Sequence, residues 1–167
     1  MIFETARLIV RPYTKADYDN YFSLHGDPEV MQYIRPAQTR EEADAKFEET
    51  ILNMPVHSFM GRWAVVEKSS GKFIGSFVLI PIPDDLEKTQ MGYSFLPEYW
   101  GKGFATEVTM AGVNYFYNKT PLVEIYGVTE TPNIASQKVL LKAGFQPFGT
   151  KAEGEKDLLV FILRRSD

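Results

Sequence analysis

Leu8 and Val10 alternate with Arg7 and Arg11, the period-two pattern of a half-buried strand, so a first strand is predicted over Thr5 to Arg11. Pro12 ends it. Tyr18, Tyr21, Phe22 and Leu24 then recur at helical spacing behind Thr14, a favourable N-cap residue, which predicts a helix from Lys15 to His25. Pro28 suits the first position of a short helix through Tyr33, and Arg35-Pro36 is a break. Thr39 caps a third helix over Arg40 to Asn53. Glu41 and Glu42 sit in its first turn, where the helix dipole favours them, and Pro55 closes it.

From Gly61 the period changes to two. Arg62 to Glu67, Phe73 to Ile82 and Lys88 to Leu96 read as strands joined by polar turns, an antiparallel meander. Beyond Gly103, the positions of Phe104, Val108, Ala111 and Tyr115 mark one face of a helix to about Tyr117. Val123 to Thr129 is a strand. Asn133 to Ala143 is a helix ended by Gly144. Gln146 to Thr150 and Asp157 to Arg164 close the chain as a strand pair around Glu153-Gly154-Glu155. The order predicts one mixed α/β (α+β) domain over residues 1–167, without an internal linker.

Composition narrows the function. The 167 residues are 44% hydrophobic and 24% charged, the balance of an ordinary globular domain. The chain has no cysteine, which excludes disulfides, thiolate metal sites and a cysteine nucleophile, and fits a reducing, cytoplasmic setting. A net charge of -4 argues against nucleic acid as a partner and leans toward a cationic substrate such as an amine. The longest apolar stretch, Phe73 to Pro83, is too short and too interrupted to span a bilayer, and the N-terminus shows no secretory pattern, so no membrane partner is expected. No metal is expected, since no His/Asp/Glu cluster has ligand spacing. His25 and His57 are lone histidines without a paired carboxylate and read as structural.

The candidate chemistry centres on Tyr99-Trp100-Gly101-Lys102-Gly103-Phe104-Ala105-Thr106-Glu107, between a strand and a helix. Helix-start amides lack intrahelical partners and the dipole adds positive charge there, so the turn suits an anion such as a phosphate. Gly101 and Gly103 allow a ligand close to the main chain. A P-loop would need Ser or Thr after Lys102, where Gly103 stands. A dinucleotide fingerprint would need a third glycine, where Thr106 or Glu107 stands. Both nucleotide readings fail. Farther on, Asn133-Ile134-Ala135-Ser136 opens a helix, and a plain N-cap would account for Asn133 by itself.

Taken together, these stretches resemble the GCN5-related N-acetyltransferase (GNAT) superfamily, whose acyl-CoA segment reads Arg/Gln-x-x-Gly-x-Gly/Ala after a strand and before a helix. Gly103 and Ala105 match, and Trp100 departs from the first position. The Tyr-Trp-Gly-Lys-Gly-Phe-Ala-Thr-Glu string, with Thr5, Arg7, Leu8 and Arg11, is similar to the RimJ/RimL branch, which acetylates protein N-termini and includes relatives acting on small amines. The likeness runs from Thr5 to about Phe161.

The resemblance implies a mostly antiparallel, twisted sheet with helices on both faces, and a single acetyl-CoA-dependent N-acetyltransferase domain, monomeric or homodimeric. It implies that the amides of Lys102, Gly103, Phe104, Ala105 and Thr106 cradle the pyrophosphate. The pantetheine arm would pair beside the strand ending at Phe95-Leu96, with Asn133 bonding it. Lys142 or Lys138 would meet the 3′-phosphate. A backbone N–H near Phe95, at a bulge in the strand, would polarise the thioester carbonyl. A tyrosine common in the family as the acid is replaced by Leu140, which leaves Ser136 as the substitute. A glutamate common in the branch is replaced by Gln90, which leaves Glu98 and Glu130 as the nearest carboxylates, or a water relay, for the base. The segment from Thr14 to Asn53 would form a lip over the acceptor. Tyr18, Tyr33, Phe59, Trp63 and Tyr93 are its candidate lining. The acceptor would be a protein N-terminus or a small amine. The competing reading is a non-catalytic CoA-binding sensor or interaction module.

Overall fold

The computed structural model describes residues 1–55 and 58–166, so His57 lies outside the described residues. Eight strands form one sheet: β1 (Phe3–Glu4), β2 (Leu8–Arg11), β3 (Gly61–Glu67), β4 (Phe73–Ile82), β5 (Asp85–Phe95), β6 (Glu124–Glu130), β7 (Gln146–Glu153) and β8 (Lys156–Arg164). Their order across the sheet is β1-β2-β3-β4-β5-β6-β8-β7. Every neighbouring pair is antiparallel except β5–β6, which is parallel. The helices are α1 (Tyr18–His25), α2 (Pro28–Met31), α3 (Arg40–Lys46), α4 (Phe104–Lys119) and α5 (Ile134–Lys142).

Strand alternation assigns the two faces. Trp63, Val65, Phe77, Leu79, Met91 and Phe95 point to one face and form the main core with Phe104, Val108 and Phe116 of α4 and Leu140 of α5. Ala64 points to the other face and packs with Tyr13, Tyr21 and Phe47, beneath α1 and α3. The sheet therefore carries α4 and α5 on one side and α1–α3 on the other, the arrangement the resemblance implies.

The functional consequence lies in the parallel pair. β5 and β6 register only at Gln90↔Tyr126 and Met91↔Gly127. Beyond those residues the strands separate, because α4 is the crossover between them and α5 packs where β6 leaves. Gly127 marks that packing: a Cβ there would lie 2.7 Å from a methyl of Leu140. The β5 edge from Gly92 to Phe95 is thus bound to β4 on one side and open on the other.

Several boundaries differ from the sequence reading, for local reasons. The predicted first strand begins only at Leu8, because the Thr5 N–H bonds the Leu8 carbonyl and Thr5 Oγ1 takes the Leu8 N–H, a tight turn after the extra strand β1. The third predicted helix changes at Phe47 into a π-helix, Phe47–Ile51. β5 starts three residues early, at Asp85. No register shift occurs near Phe95: pairing runs evenly from Gly75↔Phe95 to Pro81↔Thr89, so the expected bulge is absent and the splay opens the strand instead.

One buried ion pair ties the N-terminal segment to the helical face. Asp17 is buried and receives both Arg11 Nη1 and Nη2, at 2.8 and 3.0 Å. Burial alone would raise its carboxyl pKa, but Arg11, Asn20 and the Thr14 N–H outweigh burial and hold it at about 2. A carboxyl depressed on folding contributes stability that is complete above its ordinary value and is lost as pH falls toward the folded value. Asp17→Asn is therefore expected to cost about 2 kcal/mol at neutral pH and to flatten the stability loss between about pH 4 and 2, read by urea denaturation at stepped pH.

Candidate active site

β5 leads into a short turn, Pro97–Tyr99, and then into the glycine stretch. Trp100 Nε1 donates to the Phe95 carbonyl at 2.8 Å, so the tryptophan at the first motif position pins the end of β5. Gly101 and Gly103 have φ of 73° and 81°, the left-handed region that glycine adopts without penalty. Gly103 is the N-cap of α4, and no side chain caps the helix. The first α4 amide with a backbone partner is that of Glu107, bonded to Gly103 O at 3.1 Å. The amides of Phe104, Ala105 and Thr106 are therefore open at a positive helix end. Above Gly101 there is open space, with no atom within 4 Å of a built Cβ. The exposed Lys102 adds a cation, its Nζ lying 5.2 Å from the Tyr99 ring centre.

The N-terminal Thr5-x-Arg7 pair holds this turn. Glu107 accepts from Thr5 Oγ1 at 2.5 Å, from Arg7 N at 3.0 Å and from Arg7 Nε at 2.7 Å. Arg7 Nη1 also donates to the Lys102 carbonyl at 2.9 Å, and its guanidinium lies 4.4 Å from the Phe104 ring centre. A single side chain thus bridges the turn, the first helical residue and the acid one turn in. Arg7→Met is expected to raise the KM for acetyl-CoA about tenfold with little change in kcat, the pattern of lost ground-state positioning, in steady-state kinetics with the donor varied.

At the splay, the Leu96 N–H donates to Ile74 O on the β4 side. Alternation turns the main-chain groups of Phe95 and Tyr93 the other way, toward the opening. Facing it is the start of α5. Asn133 Oδ1 accepts from the Ser136 N–H at 3.2 Å, which fixes the amide orientation and turns Nδ2 toward Ser136 Oγ at 3.1 Å. Tyr93 Oη donates to the same oxygen at 3.2 Å. Two donors occupy both lone pairs of the Ser136 hydroxyl, leaving its own proton for a third partner. Burial pushes the Tyr93 phenol up, against a smaller opposing effect of Ser136, so it keeps its proton at neutral pH.

Several expected residues fall elsewhere. Trp63 is 3% exposed, stacked against Phe77 and edge-on to Tyr115, so it belongs to the core and not to a ligand surface. Phe59 likewise packs against Phe116. Tyr93 points to the α4–α5 face with Met91 and Phe95, and its hydroxyl meets Ser136, not the α1–α3 lip. Tyr33 does sit by the lip, following α2, whose Val30 and Met31 pack on Leu96 and Phe73. Tyr18 bonds Glu48 on the outside of that lip. Asn133 caps α5, which occupies part of its bonding capacity.

Among the described residues, neither candidate carboxylate side chain bonds Tyr93, Asn133 or Ser136. Glu98 is exposed, with no ion pair or side-chain hydrogen bond among the described residues. Glu130 ends β6 tied to Lys156 at 3.3 Å. Lys142 is exposed in the last turn of α5, about 9 Å along the axis from Ser136. Leu140, at the family's tyrosine position, is buried against Gly127. Sequence reasoning missed the Tyr93–Ser136 contact and the Arg7–Glu107 clamp. The shared parity of Tyr93 with Met91 and Phe95 carried a signal for the first; the second is a contact across a hundred residues with no local signature.

The profile of the Acetyltransferase (GNAT) domain matches residues 7–146. The chain belongs to the GNAT acetyltransferase family. Among its GNAT relatives, the uncharacterized N-acetyltransferase YoaA of Bacillus subtilis is 31% identical over 150 residues, covering 89% of this chain and 84% of YoaA. The FsC-acetyl coenzyme A-N(2)-transacetylase of Aspergillus fumigatus is also 31% identical, over 84% of this chain and 63% of its own length. A solved spermidine N-acetyltransferase from Vibrio cholerae, in complex with CoA and spermine, superposes with a TM-score of 0.79 at 20% identity, covering 96% of both chains. The ribosomal-protein-S5-alanine acetyltransferase of Vibrio fischeri gives 0.79 at 20% identity over 99% of this chain and 97% of its own. The GNAT fold is therefore shown, and the chain is an acetyltransferase. No helix among the described residues is long and apolar enough to cross a membrane.

Proposed function

We propose that this single-domain acetyltransferase, of RimJ/RimL type, moves the acetyl group of acetyl-CoA to a primary amine by direct attack in a ternary complex. The acceptor is a protein N-terminal α-amine or a small amine. The observation that supports it most is the splay: an open strand edge runs from uncapped helix-start amides at one end to a doubly bonded serine hydroxyl opposite.

The residues fit CoA. The open amides of Phe104, Ala105 and Thr106, with Lys102, suit a pyrophosphate, and Gly101 and Gly103 leave room for it. The open edge of β5 at Tyr93 suits the amides of a pantetheine arm, the Phe95 carbonyl being taken by Trp100. Lys142 is a cation available to the remaining phosphate.

Acetyl-CoA supplies the acetyl group as a thioester: the carbonyl carbon gains the C–N bond as the C–S bond breaks. The Phe95 N–H is the donor available to the carbonyl oxygen. Ser136 relays a proton, directly or through water, to the departing sulfur and regains one released by the attacking nitrogen, so the hydroxyl ends unchanged, with Asn133 and Tyr93 holding it in place. The proton lost from nitrogen travels through water and restores the Ser136 hydroxyl, since Gln90 cannot accept it and, among the described residues, neither Glu98 nor Glu130 bonds Tyr93, Asn133 or Ser136 through its side chain. An α-amino group, with a pKa of about 8, suits such an assisted loss better than a lysine amine at about 10.4.

The test is amine-dependent release of free thiol from acetyl-CoA across peptides with free N-termini, polyamines and amino-acid-like amines. Release that requires an amine and yields the N-acetyl product supports the proposal. Tight CoA binding with no turnover on any amine would establish the second reading, a CoA-binding module, which Leu140 and Gln90 favour.

A further inference from the structure

Seven arginines occur in the chain. Five have partners: Arg7 on Glu107, Arg11 on Asp17, Arg40 on Asp19 and Asp44, Arg164 on Glu124, and Arg165 on three backbone carbonyls. Arg35 and Arg62 have neither an ion pair nor a side-chain hydrogen bond among the described residues, and the charge of Arg35 reaches Arg62.

Their position is informative. Arg62 shares strand parity with Ala64, so it lies on the α1–α3 face. It pairs with Val78, which pairs with Gly92 on the open-edged strand. That row crosses about 10 Å of sheet, two strand spacings, and ends at a residue with no side chain, directly before Tyr93. Arg35 follows α2 on the lip. Tyr21 and His25, with rings stacked 3.9 Å apart, feel the charge of both arginines. Burial first, then the two arginines, hold His25 at about 3, so it is neutral and offers no compensating charge. Burial lowers the Arg62 pKa and Arg35 lowers it further, with Tyr21 and Tyr13 opposing. No carboxylate forms an ion pair with Arg62 among the described residues. Nearby, His25 Nδ1 and Gln38 Oε1 are buried without partners, and the Gln38 N–H donates to His25 O at 2.7 Å.

Two half-buried guanidinium groups within electrostatic reach of each other and without an ion-pair partner are unfavourable. Planar guanidinium forks match a carboxylate, which would remove both the repulsion and the unmet donors. Resting on the acetyl-transfer reading above, we propose that Arg35 and Arg62 bind a carboxylate carried by the acceptor, so that the acetylated amine belongs to an amino-acid-like molecule or a short peptide with a free C-terminus, and not to a polyamine. The overall acidity of the chain is thereby reversed locally at the acceptor face.

The test uses matched amines that differ in the anion: ornithine against putrescine, glycylglycine against glycylglycinamide, and O-phosphoethanolamine against ethanolamine. The expected result is a kcat/KM at least tenfold higher for each carboxylate member, with the ratio falling toward one in Arg62→Gln and Arg35→Gln and partly recovered in Arg62→Lys. Arg35→Gln, on the lip, decides the matter if Arg62→Gln does not fold. Preference for putrescine, equal ratios in wild type and variants, or selectivity for the phosphate member alone would overturn the proposal. If no amine turns over, the acetyl-transfer reading falls, and the arginine pair is judged separately by calorimetry of N-acetylglycylglycine with the CoA-loaded protein. Binding that weakens tenfold or more in either glutamine variant supports the carboxylate site; no binding, or binding indifferent to both variants, overturns it.

Discussion

Gly103→Glu is expected to abolish acetyl-CoA binding, raising the Kd at least a hundredfold by isothermal titration calorimetry. Three effects act in the same direction. Gly103 sits at φ 81°, where any L side chain is strained by about 1 kcal/mol. A Cβ would already be in contact with Arg7 Nη2 at 3.4 Å, so the longer glutamate chain beyond it would press on the side chain that holds the turn. The added carboxylate would place a negative charge beside the open amides intended for a phosphate. Gly103→Ala isolates the backbone effect and is expected to weaken binding less than tenfold. The large step between alanine and glutamate is the signature of an anion site. Normal CoA binding by the glutamate variant would remove the phosphate assignment.

Ser136→Ala is expected to lower kcat by about 10- to 100-fold while the Kd for acetyl-CoA changes less than threefold. The hydroxyl is the junction of Asn133 Nδ2 and Tyr93 Oη, so its removal also leaves two donors without their acceptor. A stability loss of about 1–3 kcal/mol accompanies it, and thermal melting separates that loss from the kinetic effect. Tyr93→Phe keeps the serine proton but removes one of the two donors that orient it. Its expected kcat loss is correspondingly smaller. A Ser136→Ala enzyme with unchanged kcat would exclude the serine from proton delivery.

How far the chain was legible depended on the range of the interaction. The glycine turn and the start of α4 are local: Gly101, Gly103 and the apolar spacing after Phe104 suffice to place them. Parity along a strand is also local, and applied strictly it would have put Trp63 in the core beside Val65, and Tyr93 with Met91 and Phe95. Aromatic character suggested a ligand surface instead, and burial overruled it. The parallel pairing of β5 with β6 is not local. It depends on α4 crossing over and on Leu140 settling against Gly127, and so does the splay it produces. The same holds for the Arg7–Glu107 clamp and for Arg35 and Arg62, whose members are ordinary charged residues in sequence and acquire meaning only from their surroundings in the fold.

The central claim, attack by the amine on acetyl-CoA while both occupy the splay, is tested most directly by initial velocities measured with acetyl-CoA and the acceptor varied together. The account predicts a family of double-reciprocal lines that intersect, as required when both substrates must be bound before the first product leaves. Parallel lines, the pattern of an acetylated enzyme, or thiol release independent of the amine would contradict it.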